Sequence, residues 1–257
     1  HKNPSPLFFE FATMQRAFDT MSQSYNRGFD INALLKTNDI TPAIQNHLSQ
    51  VYLTLSAGIA AAAMGSYFHL LTNIGGILTF IATIGLMLWL AMEPDKTVTP
   101  KRLAIFAGFC FFKGASLGGL IEAILFVDPS ILVTALVGTV AIFTCFSGAA
   151  LIGMRRRSYL YLGGLLGSAM SIMLLMRLVN MFFWSNAMMT AQLYMGLLVF
   201  SGYVIYDTQM IVEKANLGSN DVVWHATELF VDFVAIFVRI AIILMRNANN
   251  KKKSNRR

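Results

Sequence analysis

The stretch TELFVDFVAIFVRIAIILM, residues 227–245, decides how this chain folds. It is apolar enough to enter a bilayer, yet it carries Glu228, Asp232 and Arg239. A charge at the centre of a lipid-facing helix costs about 2.5–3.5 kcal/mol on insertion scales, so such groups turn towards a bundle interior or water and mark pathways. The rest of the chain must therefore supply their surroundings.

Of the 257 residues, 56% are hydrophobic and 13% charged, against about 25% charged in soluble domains. Mean hydropathy is +0.58. Six apolar runs reach the roughly 20 residues that a hydrocarbon core requires: 48–71, 74–92, 102–127, 129–154, 158–176 and 191–212. With the seventh, 224–245, they predict an all-α integral membrane protein, a bundle of seven hydrophobic helices. A mixed polar segment, 1–46, precedes a helical bundle over 47–245, and a basic tail, 246–257, ends the chain. No cleavable signal peptide is visible. Residues 1 to about 27 read as disordered or foreign to the fold, with Met14 and Met21 as candidate natural starts.

The net charge of +7 sits in short clusters between apolar runs and in RNANNKKKSNRR. That arrangement sets topology and meets anionic lipid, so the expected partner is the bilayer and not nucleic acid. Cys110 and Cys145 lie within apolar runs and read as small buried hydrophobes. Thr41-Pro42, Thr99-Pro100 and Asp128-Pro129 are helix starts, a side-chain acceptor followed by a ring that presets φ. Gly114/Gly118 and Gly163/Gly167 place small residues for close helix crossings. Lys96, Lys101, Arg102, Arg155, Arg156, Arg157 and Lys214 fall in alternate loops, which predicts a cytoplasmic N-terminus. A full crossing by the seventh run would then translocate the basic tail, whereas a segment that enters and returns would leave it cytoplasmic.

Asp207, in SGYVIYDTQMIVEK (201–214), stands five residues before Val212, about 8 Å inside the apolar boundary at 1.5 Å per residue. Asp232 is at comparable depth if runs six and seven are antiparallel neighbours across the loop 213–223. Two carboxylates in low dielectric cannot both ionise cheaply, so the pair holds one proton between them, a pH-sensitive latch. Its oxygens also suit a hard cation such as Ca²⁺. Glu228, one turn before Asp232, and Arg239, seven residues after it, are candidate supporting charges. Lys113 and Glu122 are two further charges in run three. The plain alternative is that the acids pair with Arg or Lys for structure alone. Intramembrane aspartyl proteases also use paired aspartates, but the glycines of their second motif are missing from LFVD, and no HExxH, nucleophile elbow or phosphate loop occurs. No enzyme activity and no cofactor are expected.

Four stretches, ITPAIQNHLSQVYLTL, VDPSILVTALVGTVAIFTCFS, RRRSYLYLGGLLGSAMS and YDTQMIVEKANLGSNDVVWHATELFVDF, resemble the transmembrane Bax inhibitor motif family over about residues 28–257. The resemblance implies an endoplasmic reticulum membrane protein that suppresses cell death and passes Ca²⁺ in a pH-dependent leak. It implies a central last helix wrapped by the other six, and a paired-aspartate latch at Asp207 in YDTQ and Asp232 in FVDF. It also implies a role in death suppression for the tail residues Lys251, Lys252, Lys253, Arg256 and Arg257. Lys113 stands where relatives carry Thr or Glu, and a cation there would repel Ca²⁺. The alternative is an adaptor that suppresses death by binding apoptosis-related membrane proteins and conducts no ion.

Overall fold

A computed structural model describes residues 41–152 and 158–254, without the side chains of residues 152–160 and 253. The N-terminal segment to residue 40, the arginines Arg155, Arg156 and Arg157, and tail residues Arg256 and Arg257 lie outside the described residues.

Among the described residues the chain is all-helical. Its helices are α1 (Pro42–Thr72), α2 (Ile77–Met92), α3 (Pro100–Ser116), α4 (Gly118–Val127), α5 (Ser130–Ile152), α6 (Ser158–Phe183), α7 (Asn186–Asn216) and α8 (Val222–Ser254). Four of them, α1, α5, α6 and α7, are long and apolar enough to cross a membrane, and α3 with α4 is a bent pair that passes the same test together. The molecule is a multi-pass membrane protein.

Among the described residues eight helices stand where seven are predicted, because run three is broken. The chain bends by 43° at Leu117. The cause is local: glycines at 114, 118 and 119 weaken the helix, and the Ser116 hydroxyl bonds back to the Lys113 carbonyl at 2.8 Å. Gly118 then lies under the His69 ring, where a Cβ would collide. Gly114 and Gly118 therefore belong to different helices. Gly163 meets Tyr206 closely, while Gly167 faces open space.

The proline-led starts form as local chemistry directs. Thr99 Oγ1 accepts the Arg102 N–H at 3.4 Å. Asp128 Oδ1 accepts the Ser130 N–H at 2.9 Å, and that bond holds the exposed Asp128 carboxyl below the usual carboxylate range. Thr41 precedes Pro42 in extended conformation without a side-chain cap bond. Between α1 and α2 the chain turns through Asn73 at φ 54° and Gly76 at φ 101°, the left-handed side of conformational space where glycine is unstrained.

α1 and α3 cross at very short range. Gly58 lies under Phe106 and Cys110, Gly65 faces the Phe111 carbonyl, and Gly114 faces the Ala62 carbonyl. Ser66 Oγ reaches the Gly114 carbonyl at 3.0 Å. α8 lies inside, packed against α1, α3, α4, α5 and α7, while α2 packs on α3 and α6 on α7. From Val222 to Ala241 it contributes a large share of the core, including Leu229, Phe230, Phe233 and Ile236. Cys110 is buried as expected; Cys145 is exposed, on the outward face of α5.

α8 is one unbroken helix and does not return. Lys252, near its end, donates to the Val127 carbonyl at 2.6 Å. That contact sets the tail beside the α4–α5 turn, while His225, near the helix start, touches His47 near the start of α1. The helix continues to Ser254, through most of the basic tail.

Gly65→Ala is expected to lose about 1–3 kcal/mol, since its Cβ meets backbone that cannot move aside. Gly85→Ala, where a Cβ meets nothing within 4 Å, is expected to stay within about 1 kcal/mol of the parent or gain slightly. Thermal unfolding of both variants in the same detergent checks the contrast.

Candidate functional site

Asp207 and Asp232 line one cavity of about 320 Å³, together with Glu228, Tyr203, Phe200 and Trp224. α7 supplies Asp207 from its C-terminal half, and α8 supplies Asp232 three turns from its start. Asp232 is 4% exposed and Asp207 half-buried. Their side chains are close enough to hydrogen bond when one carries a proton. Asp232 Oδ2 is buried and receives no donor. A buried polar atom left unpaired costs about 1–3 kcal/mol, more when charged.

Glu228 shares the cavity but is already neutralised. Lys214 Nζ lies 3.2 Å from its Oε1, and Trp224 Nε1 donates to the same oxygen at 2.8 Å. Lys214 is thus spent on Glu228, and neither aspartate has a salt-bridge partner among the described residues. Arg239, expected as a counter-charge for the acids, is engaged elsewhere. Its Nη1 donates to the Ala235 carbonyl at 2.8 Å and its guanidinium stacks 4.2 Å from the Phe200 ring centre. Seven residues carry it about 10 Å along the helix from Asp232. Lys113 is half-buried in the last turn of α3 and Glu122 is exposed on α4; neither forms an ion pair among the described residues. Lys251 and Lys252 are exposed on the last turns of α8, and Lys253 is helical there.

Two carboxylates offer at most four oxygens, short of the six to eight that Ca²⁺ takes. Among the described residues no group of three or more His, Cys, Asp or Glu side chains is placed to hold a metal ion.

Compared with known proteins, residues 44–250 match the family described as inhibitor of apoptosis-promoting Bax1. The chain belongs to this family. It is 48% identical over 232 residues to Bax inhibitor 1 of Arabidopsis thaliana, an alignment covering 90% of this chain and 93% of the relative. Identity to Bax inhibitor 1 is 46% for Mus musculus and 44% for Homo sapiens, each over 235 residues, 90% of this chain and 99% of the relative. The family match spans both aspartates and ends at residue 250, before Lys251.

Within this member of the family, sequence reading missed two polar contacts. Arg102, read as a loop cation, is fully buried and grips Asp221 with two bonds, 2.8 Å and 2.9 Å. Asp221 also caps α8 by accepting the Trp224 N–H at 3.0 Å. His47 Nε2 meets His225 Nδ1 at 3.0 Å, although the histidines look scattered along the chain. The available signal was the Asp221-Val222-Val223-Trp224 spacing of an N-cap; which cation reaches it is a tertiary fact.

Asp221→Asn is expected to lose about 3–5 kcal/mol, because Arg102 is left charged and unpaired in the core. Replacing both partners, Arg102→Met with Asp221→Leu, should recover most of that loss. Unfolding midpoints of the single and double variants measure the difference; equal losses would exclude an uncompensated buried charge as the cause.

Proposed function

We propose that this protein suppresses cell death from the endoplasmic reticulum membrane by passing Ca²⁺ through a pH-sensitive leak, with Asp207 and Asp232 as the latch. The observation that carries the reading is the buried, donorless Asp232 Oδ2 opposite Asp207. A proton shared by the two carboxyls would satisfy that oxygen and tie α7 to α8. Losing the proton puts two like charges together in a low-dielectric cavity, which pushes the helices apart. The pair titrates as a unit, so the proton count of the latch, and not of either residue, sets its state.

Ca²⁺ enters this account as the transported ion, keeping part of its hydration while it meets the carboxylates. The curated relatives are named for inhibiting Bax, which supports death suppression as the outcome. Seven crossings, a cytoplasmic N-terminus and the endoplasmic reticulum address complete the proposal. No catalytic step is assigned to any residue.

Reconstituted in liposomes, the parent chain is expected to pass Ca²⁺ at a rate that changes with pH. Asp207→Asn and Asp232→Asn are each expected to flatten that pH profile, because an amide cannot share the titrating proton. Parent-like rates and an unaltered profile in both variants would rule out the latch.

A further inference from the structure

A second, larger cavity of about 780 Å³ lies between α6, α7 and the far half of α8. Three arginines converge on it: Arg177 from α6, and Arg239 and Arg246 from α8. Among the described residues no carboxylate lines it. Among the described residues Arg239 is held by its own helix and Phe200, and Arg246 Nη1 by the Thr190 hydroxyl at 3.0 Å. Arg177 makes no hydrogen bond or ion pair among the described residues. Gln192 Nε2, on the α7 wall, is a buried donor with no acceptor. Asn180 is already occupied, accepting the Ser185 N–H at 2.8 Å.

Every unsatisfied group here is a donor or a cation. Like charges gathered without a counter-ion repel one another, and a guanidinium is shaped to grip phosphate oxygens in pairs. The remaining wall is apolar, with Met173, Leu174 and Leu193. At its rim Met181 is 62% and Trp184 85% exposed, at the ends of two membrane-spanning helices. A tryptophan at that level suits the head-group layer. A soluble anion would use the arginines and leave the methionine wall idle.

We propose that this cavity binds one anionic phospholipid, its phosphate on Arg177, Arg246 and the Gln192 amide and an acyl chain along the methionine wall. The site adjoins the aspartate cavity, sharing Met170 and Phe200 in its wall, but does not rest on the Ca²⁺ reading.

The test uses the full chain in lipid nanodiscs of phosphatidylcholine with a minor fraction of phosphatidylglycerol, and counts retained lipid by native mass spectrometry. One phosphatidylglycerol should be retained in preference to phosphatidylcholine. Arg177→Gln with Arg246→Gln should lower that preference about thirty-fold, two basic contacts at an anionic surface being worth roughly fivefold each. Lys96→Gln, at an exposed loop cation, should leave it unchanged. In the unaltered chain, phosphatidylglycerol bearing a photoreactive acyl chain should label Met173, Met181 or Met189, which keeps the test decisive even if the double variant misfolds. Absence of any phosphatidylglycerol preference, a preference that survives in the folded double variant, or labelling spread equally over α2 would overturn the proposal. Displacement of the lipid by millimolar inorganic phosphate with equal thermal stabilisation would also overturn it, in favour of a free anion.

Discussion

A helix that carries Glu228, Asp232 and Arg239 cannot face lipid, and that exclusion organises the bundle. Turning α8 inward hides its charges from hydrocarbon, but only if other helices cover it on all sides. α1, α3, α4, α5 and α7 do so. The cover must also fit closely, which is where the small residues of α1 and α3 enter: Gly65 and Gly114 let two backbones approach without intervening side chains, and Gly58 makes room for Phe106 and Cys110. α2 and α6, which pack on α3 and α7, carry many of the exposed apolar side chains, among them Ile77, Leu78, Leu175 and Phe182.

Along α8 the polar groups fall at three levels. Asp221, just before the helix, is locked by Arg102. Asp232 follows about 17 Å further on, facing Asp207, and Arg246 about 21 Å beyond that, at the arginine-lined cavity. The first level is a satisfied structural clamp, with both charges paired and the helix end capped. At the second, Lys214 pairs with Glu228, and neither aspartate has a salt-bridge partner among the described residues. The third has cations and, among the described residues, no acid. Chemistry that needs movable protons or a bound anion belongs to the second and third levels, where the charge is not balanced by the fold itself.

Much of this was legible in the sequence. Apolar runs of spanning length marked the helices, Thr-Pro and Asp-Pro marked three of their starts, and the depth of Asp207 and Asp232 in antiparallel neighbours brought them to one cavity. The break at Leu117 was less visible, because run three is apolar throughout and the glycines at 114, 118 and 119 read equally well as a packing face. Arg102 was misjudged for a related reason: at the edge of an apolar run a charge looks like a topology signal, and only the tertiary contact with Asp221 shows that it is buried. His47 and His225 are 178 residues apart in sequence, a separation that no local pattern can bridge. Arg239 failed the opposite way, sharing a helix face with Asp232 by periodicity while lying too far along the axis to reach it.

The central claim is that the two aspartates hold a single proton between them. Infrared difference spectroscopy of the chain in lipid, through a pH titration, reads protonated carboxyl groups directly. The account predicts a buried protonated-carboxyl band at neutral pH that is lost in both Asp207→Asn and Asp232→Asn. A spectrum without that band, or a band that persists when either aspartate is replaced, would contradict it.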